Sequence, residues 1–430
     1  MKSLWKSYNE TKNFDPLKGD LKTDVLIIGG GLAGILTAYM LNKQGIDYAL
    51  IEAGKVFNGV SGNTTAKITA QHGLIYNKLI KQFGIEKSKL YLEANLNAID
   101  KFSQLCQNID CDFVIENSYV YSLNNRQKLE EEMAALESLK YKAEFLNHIA
   151  LPLPIIGAIK FENQAQFNPV KFINEISKKL NIYENTRAIS YNGNEIVTNN
   201  GKIKAKKIIV TTHFPFINKH GSYFFKMYQE RSYVIALENA PQLNGMYVDE
   251  NKDGFSFRGY KELMILGGGT HRTGKPSDGW KKIREFAKIH YPTSKEIFSW
   301  ATQDCITLDS IPYIGRYSKN TPNLYVATGF NKWGMTSSMI ASLVLCDLIN
   351  EKENKYSELF TPSRSILHPQ LILNGIEAVG SLLTPAKKRC PHLGCALKWN
   401  PHEHSWDCPC HGSRFDEKGK LINNPSNGDI

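Results

Sequence analysis

The chain has 430 residues, 42% of them hydrophobic and 22% charged, with a formal net charge of +10. That length suits two or three domains with a large interior, and the composition is that of a folded protein, not a disordered or fibrous one. The positive balance is dispersed surface lysine without an arginine-rich tract, which argues against nucleic-acid binding and leaves room for a mildly basic face towards an acidic partner, and no run of about 18 apolar residues is present to span a membrane.

Residues 1–20 read as an N-terminal lead. They lack the apolar core of a secretory signal, so a cytoplasmic location is expected. Residues 24–28, DVLII, read as a buried parallel strand. GGGLAG follows at 29–34, with glycines at Gly29, Gly31 and Gly34. A helix is expected next, with Gly45 closing it. A second strand, YALIE, ends at Glu52. Gly29 allows the tight turn, Gly31 lets backbone approach a pyrophosphate, and Gly34 lets the helix pack on the strand. Leu32 and Ala33 open the helix, whose free N–H groups and dipole face the phosphates. Glu52 is placed to accept from ribose hydroxyls. The order strand, glycines, helix, strand and acid makes this a dinucleotide cradle. The motif alone does not separate FAD from NAD.

The next stretch, VFNGVSGNTTAKIT (56–69), is rich in small and hydroxylic residues. It resembles the FAD-dependent D-amino-acid oxidase/glycine oxidase superfamily, in which such a segment runs along the pyrophosphate and flavin; Ser61, Gly62, Asn63 and Thr64 match it. His72 follows closely and is a candidate for a place near the flavin, with a structural histidine as the alternative. Helices are expected within 76–107 and 124–144, and a Pro-started helix within 166–180. KIIVTTHF (207–214) resembles the strand that closes the nucleotide domain, after a strand carrying Arg187 and Ala188. YVIALENA (233–240), FSFRGY (255–260) and LMILGGGTHRTG (263–274) read as antiparallel strands. In the superfamily this sheet covers the flavin. The candidate substrate contacts on it are Arg231, Tyr233, Arg258, His271 and Arg272, because an arginine can bind a carboxylate bidentately; each also has a structural reading.

The stretches at 300–317, with Gly315, and 323–349 resemble the superfamily's last FAD segment. Gly329, Gly334, Met335 and Thr336 fall on its turn and helix start, where N–H groups stabilise negative charge on a flavin.

Four of the eight cysteines, Cys106, Cys111, Cys305 and Cys346, are scattered and read as small buried hydrophobes. The other four crowd into 390–410, which suggests a local metal or cluster site. CPHLGC (390–395) and CPCHGSRF (408–415) present Cys390 with His392 and Cys408 with His411. Four to six such ligands on two knuckles would also suit zinc. The pattern resembles the Rieske [2Fe–2S] signature, in which two thiolates hold one iron and two imidazoles the other, giving a potential of roughly −150 to +300 mV. The resemblance implies a disulfide between Cys395 and Cys410 and a hydrogen bond from Ser413 to a bridging sulfide. Phe415 replaces the tyrosine of high-potential members, which implies a potential below the top of that range. His402 and His404 read as a solvated turn. A helix is expected at 369–383, leading into a minimal or shortened domain that must lean on the rest of the chain.

The resemblances together imply an α/β fold. A Rossmann-like FAD-binding domain (21–75, 151–225 and 300–352) is interleaved with a mixed-sheet substrate domain (76–150 and 226–299). A linker and helix (353–384) lead to a small all-β Rieske domain (385–430). The expected activity is dehydrogenation of an amine or amino acid by FAD, with electrons passing to the [2Fe–2S] cluster and exchanged with an external protein or quinone. The alternatives are an electron-transfer or redox-sensing protein without a dedicated organic substrate, and a flavin oxidase with a structural zinc tail.

Overall fold

Alternation of strand and helix signals around the glycine cradle builds a parallel sheet. The computed structural model describes residues 3–8 and 12–430; residues 1–2 and 9–11 of the N-terminal lead lie outside the described residues. The apolar strand Leu21–Ile28 sits centrally, flanked in parallel by Gly201–Val210 and Tyr48–Ile51. Leu324–Thr328 and Ile182–Tyr183 extend the parallel order, and the antiparallel Tyr313–Arg316 closes one side. With the hairpin Ala188–Asn192 and Glu195–Thr198 this makes an eight-stranded sheet among the described residues. The helix Leu32–Lys43 buries Ile35, Leu36 and Ala38 and packs on the equally apolar helix Gly334–Ile349. Gly45, at φ 68°, adopts the left-handed conformation expected just beyond a helix end.

The second sheet has nine strands among the described residues. Met227–Glu238 pairs with both Leu263–Arg272 and Lys295–Thr307, and Val114–Ser122 pairs with Gly157–Gln166. Three stretches therefore pair away from where they are expected. Residues 157–166 and 300–307 were expected with the nucleotide-binding segments, yet their backbone ladders run in the second sheet. So does the two-residue strand Lys67–Ile68, through Gln166. Long-range pairing fixed this, and strand composition carries no sign of it. The long helix Tyr76–Cys106 is broken at Gly84 (φ 80°), and Arg126–Ser138 and Pro169–Ile176 supply the other expected helices.

The C-terminal unit is a four-stranded antiparallel sheet of three-residue strands, Lys398–Asn400, Ser405–Asp407, Arg414–Asp416 and Leu421–Asn423. Its own apolar core is little more than Cys390, Cys395, Leu397, Cys408, Cys410 and Phe415. So small a core is marginal alone, and the tail docks on both larger sheets.

Candidate active site and cluster site

The cradle is built as its sequence requires. Gly29 has φ 116°, and a Cβ there would lie 2.8 Å from the Thr211 carbonyl oxygen; at Gly34 it would lie 1.9 Å from the Gly29 carbonyl oxygen. The Ser61 hydroxyl accepts from the Leu32 N–H at 3.0 Å, at the start of the helix. Glu52 accepts from the N–H groups of Gly30 (2.7 Å) and Gly54 (2.8 Å). Burial raises its pKa against those two hydrogen bonds. Above the cradle opens a cavity of about 1080 Å³, a volume suited to a large cofactor with a substrate beside it.

Of the expected cofactor contacts, Gly29, Gly31, Leu32, Ala33, Glu52, Ser61, Thr64, Ala188, Gly329, Gly334 and Met335 border this cavity. Five do not. Gly34 is pressed against Gly29, and Gly62 against the Phe57 carbonyl. Asn63 accepts from Lys6 Nζ (3.1 Å), and its carbonyl accepts from the Trp300 indole (2.9 Å). Thr336 turns to His72 Nε2 at 3.2 Å. Gly315 lies in the antiparallel edge strand and faces Pro362. Gly34, Gly62, Asn63 and Thr336 thus pack around the cavity lining, and Gly315 lies apart at the sheet edge.

His72 borders the cavity and is internally satisfied. Its Nε2–H donates to the Thr69 carbonyl (2.8 Å), its Nδ1 accepts from the Tyr91 hydroxyl (2.7 Å), and its ring stacks on Trp333 at 4.7 Å. Burial lowers its pKa to about 3, so the ring is neutral.

None of the arginines expected over the flavin borders the cavity. Arg258 donates to the Thr65 (2.6 Å) and Ala66 (2.9 Å) carbonyls beside Trp5. Arg231 is engaged by Glu403, and Arg272 donates to the carbonyls of Pro409 (3.0 Å) and Cys410 (3.1 Å), all in the C-terminal unit. His271 stacks on Tyr233 and stays outside, whereas Tyr233 does line the cavity. The cavity's charged wall instead holds Glu230, Lys332, Lys252 and Asp304. Glu230 pairs with Lys332 at 3.0 Å and with Lys252 at 3.6 Å, while the Tyr228 hydroxyl donates to Glu230 at 3.2 Å. Burial would raise the Glu230 pKa, but the two lysines outweigh it and hold the carboxylate ionised. Burial pushes Asp304 up to about 6, against the pull of Lys332. Lys67 also lines the cavity, and burial lowers it to about 7, helped by nearby Arg258. Nothing in the sequence marked these groups, because a lysine or acid in a strand, as at Lys67, Glu230 and Asp304, or in a turn, as at Lys252 and Lys332, reads as a solvated residue.

At the C-terminal unit the two loops converge. The His392 and His411 rings lie 5.0 Å apart. Their Nδ1 atoms are both buried without a hydrogen-bond partner among the described residues. Two orphaned imidazole nitrogens, on the same two loops that bring the Cys390 and Cys408 thiols into hydrogen-bond contact, are unstable as a protein-only arrangement and fit metal ligation. Burial lowers His392 to about 4 and His411 to about 3, so both are neutral, as ligands must be. A hydrogen bond from Cys408 is the main cause holding the Cys390 thiol below its usual value. Cys395 and Cys410 are joined as a disulfide beside Cys408. Two imidazoles and two thiols, tied from behind, match a Rieske [2Fe–2S] donor set. Ser413 Oγ accepts from the Ser426 N–H at 2.9 Å. His404 meets Glu417 at the surface, but His402 is less solvated than expected: its Nε2–H donates to the Ser277 carbonyl at 2.8 Å.

The cluster loops and the cavity share a wall. Gln229 Nε2 donates to the His411 carbonyl (2.6 Å), and Gln303 Nε2 donates both to Gln229 (2.7 Å) and to the Gly412 carbonyl (2.8 Å). His213, a cavity-lining residue, donates its Nε2–H to Gln229 Oε1 at 3.1 Å, and its neighbour Phe214 lies 6.1 Å from the His411 ring. Asn424 of the C-terminal unit borders the cavity itself and donates to the Phe214 carbonyl at 2.6 Å.

Comparison with known proteins agrees with this geometry. The family model for DAO, FAD dependent oxidoreductase, matches residues 24–348, and that for the Rieske [2Fe-2S] domain matches residues 379–430. The Bacillus subtilis (strain 168) protein YhfW, a chain named for a Rieske 2Fe-2S centre, is 35% identical over 99% of this chain and 96% of its own length. Among solved structures, glycine oxidase from Geobacillus kaustophilus aligns over 80% of this chain and 99% of its own, with TM-score 0.68 at 17% identity. L-proline dehydrogenase from P. horikoshii aligns over 81% and 98%, with TM-score 0.67 at 16% identity. At such identities the likeness is one of fold. The chain belongs to the DAO family of FAD-dependent oxidoreductases and carries a Rieske [2Fe–2S] domain at its C-terminal end.

Proposed function

We propose that the chain dehydrogenates an amine or amino acid in the cavity over the nucleotide cradle and passes the electrons out through the cluster unit to an external protein or quinone. FAD supplies two-electron oxidation and the Rieske cluster single-electron transfer, so the pair converts one to the other. The observation that carries this reading is the shared wall: one cavity is bordered both by Gly31 and Glu52 of the cradle and by His213 and Asn424, which adjoin the cluster loops. The protein's own groups then suit a zwitterionic substrate. Lys332 and Lys252 offer cations to a carboxylate, and Glu230 and Asp304 offer acceptors to an amine nitrogen. Asp304, near 6, is poised to exchange a proton with that nitrogen around neutral pH. The glycine oxidase and L-proline dehydrogenase neighbours point to the same substrate class.

The test is anaerobic. The holoenzyme is mixed with a panel of amino acids and secondary amines, and flavin absorbance and the EPR signal of reduced cluster are followed together. A substrate should bleach the flavin first and raise the EPR signal after it. If no member of the panel bleaches the flavin while an external reductant still reduces the cluster, the dehydrogenase reading fails and an electron carrier without an organic substrate replaces it.

A further inference from the structure

The helix Pro369–Leu383 turns its polar side to the protein. Its buried residues are Asn374 and Ser381. Asn374 Oδ1 accepts from Arg272 at 3.0 Å, Glu377 pairs with Lys275 at 2.6 Å, and Ser381 Oγ donates to the Ala396 carbonyl at 3.4 Å. The outward side carries Ile372, Leu373, Ile376, Val379 and Leu383, each between 56% and 77% exposed. A helix on a water-facing surface has the opposite polarity, and here hydrogen bonds on the inner side fix the inversion.

The apolar strip does not end with the helix. Leu367 before it is 84% exposed, and Leu382 approaches Gly394 on the loop that carries His392, where Leu393 is also exposed. So large a contiguous exposed patch marks an interaction site. Its charge is one-sided. Glu377, the helix's one ionisable group, is turned inward, whereas Lys387 is exposed just past the helix end, and Arg389, also exposed, braces that turn by donating to the carbonyls of Leu382 (3.2 Å), Thr384 (3.0 Å) and Gly394 (2.8 Å). Lys219 is exposed beside Asn218, the partner of His392 at 2.9 Å.

We propose that this face rests on a bilayer containing anionic lipid. The helix lies in the plane of the interface, its apolar side chains enter the acyl boundary, and Lys387 and Arg389 meet the phosphates. Fifteen residues are too few to span a bilayer but suit lying on one. A second copy is the poorer occupant, because a two-fold pairing would bring the basic rims of both copies together. The inference does not depend on which substrate the cavity takes. It places the cluster loop against the membrane.

Full-length holoenzyme is tested by flotation with vesicles of phosphatidylcholine alone and of phosphatidylcholine mixed with phosphatidylglycerol. The wild type should float with the mixed vesicles and release at high salt. The double variant Ile376→Asp, Leu383→Asp should lose at least about tenfold of that binding, while keeping flavin absorbance and thermal midpoint. Lys387→Glu with Arg389→Glu should abolish the preference for anionic lipid. The proposal is overturned if the wild type floats with neither vesicle, or if the Asp variant floats as well as wild type. It is also overturned if sedimentation equilibrium without lipid shows a dimer that the Asp variant dissociates, which would give the face to a second copy.

Discussion

Glu403 sits between two guanidinium groups, accepting from Arg231 Nε at 2.8 Å and pairing with Arg414 at 3.1 Å, with its side chain 10% exposed. Burial would raise its pKa, but the two arginines outweigh it and bring it from 4.5 to about 2. A lowered folded-state value means that the folded protein binds fewer protons than the unfolded chain between those two pH values. The stabilisation is therefore complete above pH 4.5 and lost as pH falls towards 2. Glu403→Gln should destabilise the protein by about 3 kcal/mol at pH 7, since it leaves Arg231 buried beside an uncharged partner. Urea unfolding at pH 7 and again near pH 3, where the difference should shrink, checks it. Lys332→Met is the matching test in the cavity: KM for carboxylate substrates should rise about tenfold with kcat little changed, because a uniform binding contact is removed. At this scale the sequence was legible only where chemistry and spacing coincide, as at Cys390, His392, Cys408 and His411. Arg231 and Arg272 looked like substrate ligands because their true partners lie more than a hundred residues away. His213 and Gln229 carried no signal at all, since only docking of the tail brings them beside the cluster loops.

At the scale of elements, the seam between the substrate-side sheet and the C-terminal unit is made by glycines. A Cβ on Gly274 would lie 2.6 Å from the Pro409 nitrogen, one on Gly412 2.7 Å from Gln229 Cβ, and one on Gly279 2.6 Å from the His402 ring. At Gly274 backbone meets backbone, so the loop before His411 can lie close to the cavity wall. Gly274→Val should push that loop outward at a cost of about 1–3 kcal/mol. Its φ of 78° adds strain for any side chain. Flavin reduction by substrate should survive, whereas stopped-flow transfer from flavin to cluster should slow by at least tenfold; equal rates in variant and wild type would show that the seam does not set the transfer distance. The elements themselves were largely readable. The strand Leu21–Ile28 and the helix Leu32–Lys43 follow from an apolar run, three glycines and helical spacing, and the helix Pro369–Leu383 begins at the proline that marks it. What periodicity could not give was sheet membership. Gly157–Gln166 is a half-buried strand in either sheet, and pairing with Val114–Ser122 decided it.

For the whole molecule, the C-terminal unit is held by the disulfide and by hydrogen bonds to the two larger sheets, and a cluster on Cys390, His392, Cys408 and His411 would add a third tie. Its apolar core is too small to hold the loops without these. Removal of the metal should therefore act on the assembly. With the cluster gone, His392 Nδ1 and His411 Nδ1 remain buried without partners, each an unfavourable contribution of about 1–3 kcal/mol. Opening the loops to water relieves it. Opening also breaks the bonds from Gln229 and Gln303 to the carbonyls of His411 and Gly412, so the seam should loosen with them. Chelation of iron under reducing conditions should leave the flavin spectrum intact and make residues 384–398 the first site of proteolysis, releasing the C-terminal unit while the two larger sheets stay resistant. Cleavage is read by mass spectrometry against untreated holoenzyme. Should chelated protein resist protease as well as the holoenzyme does, the docked surface alone fixes the tail, and the ligand pair contributes to redox chemistry without contributing to architecture.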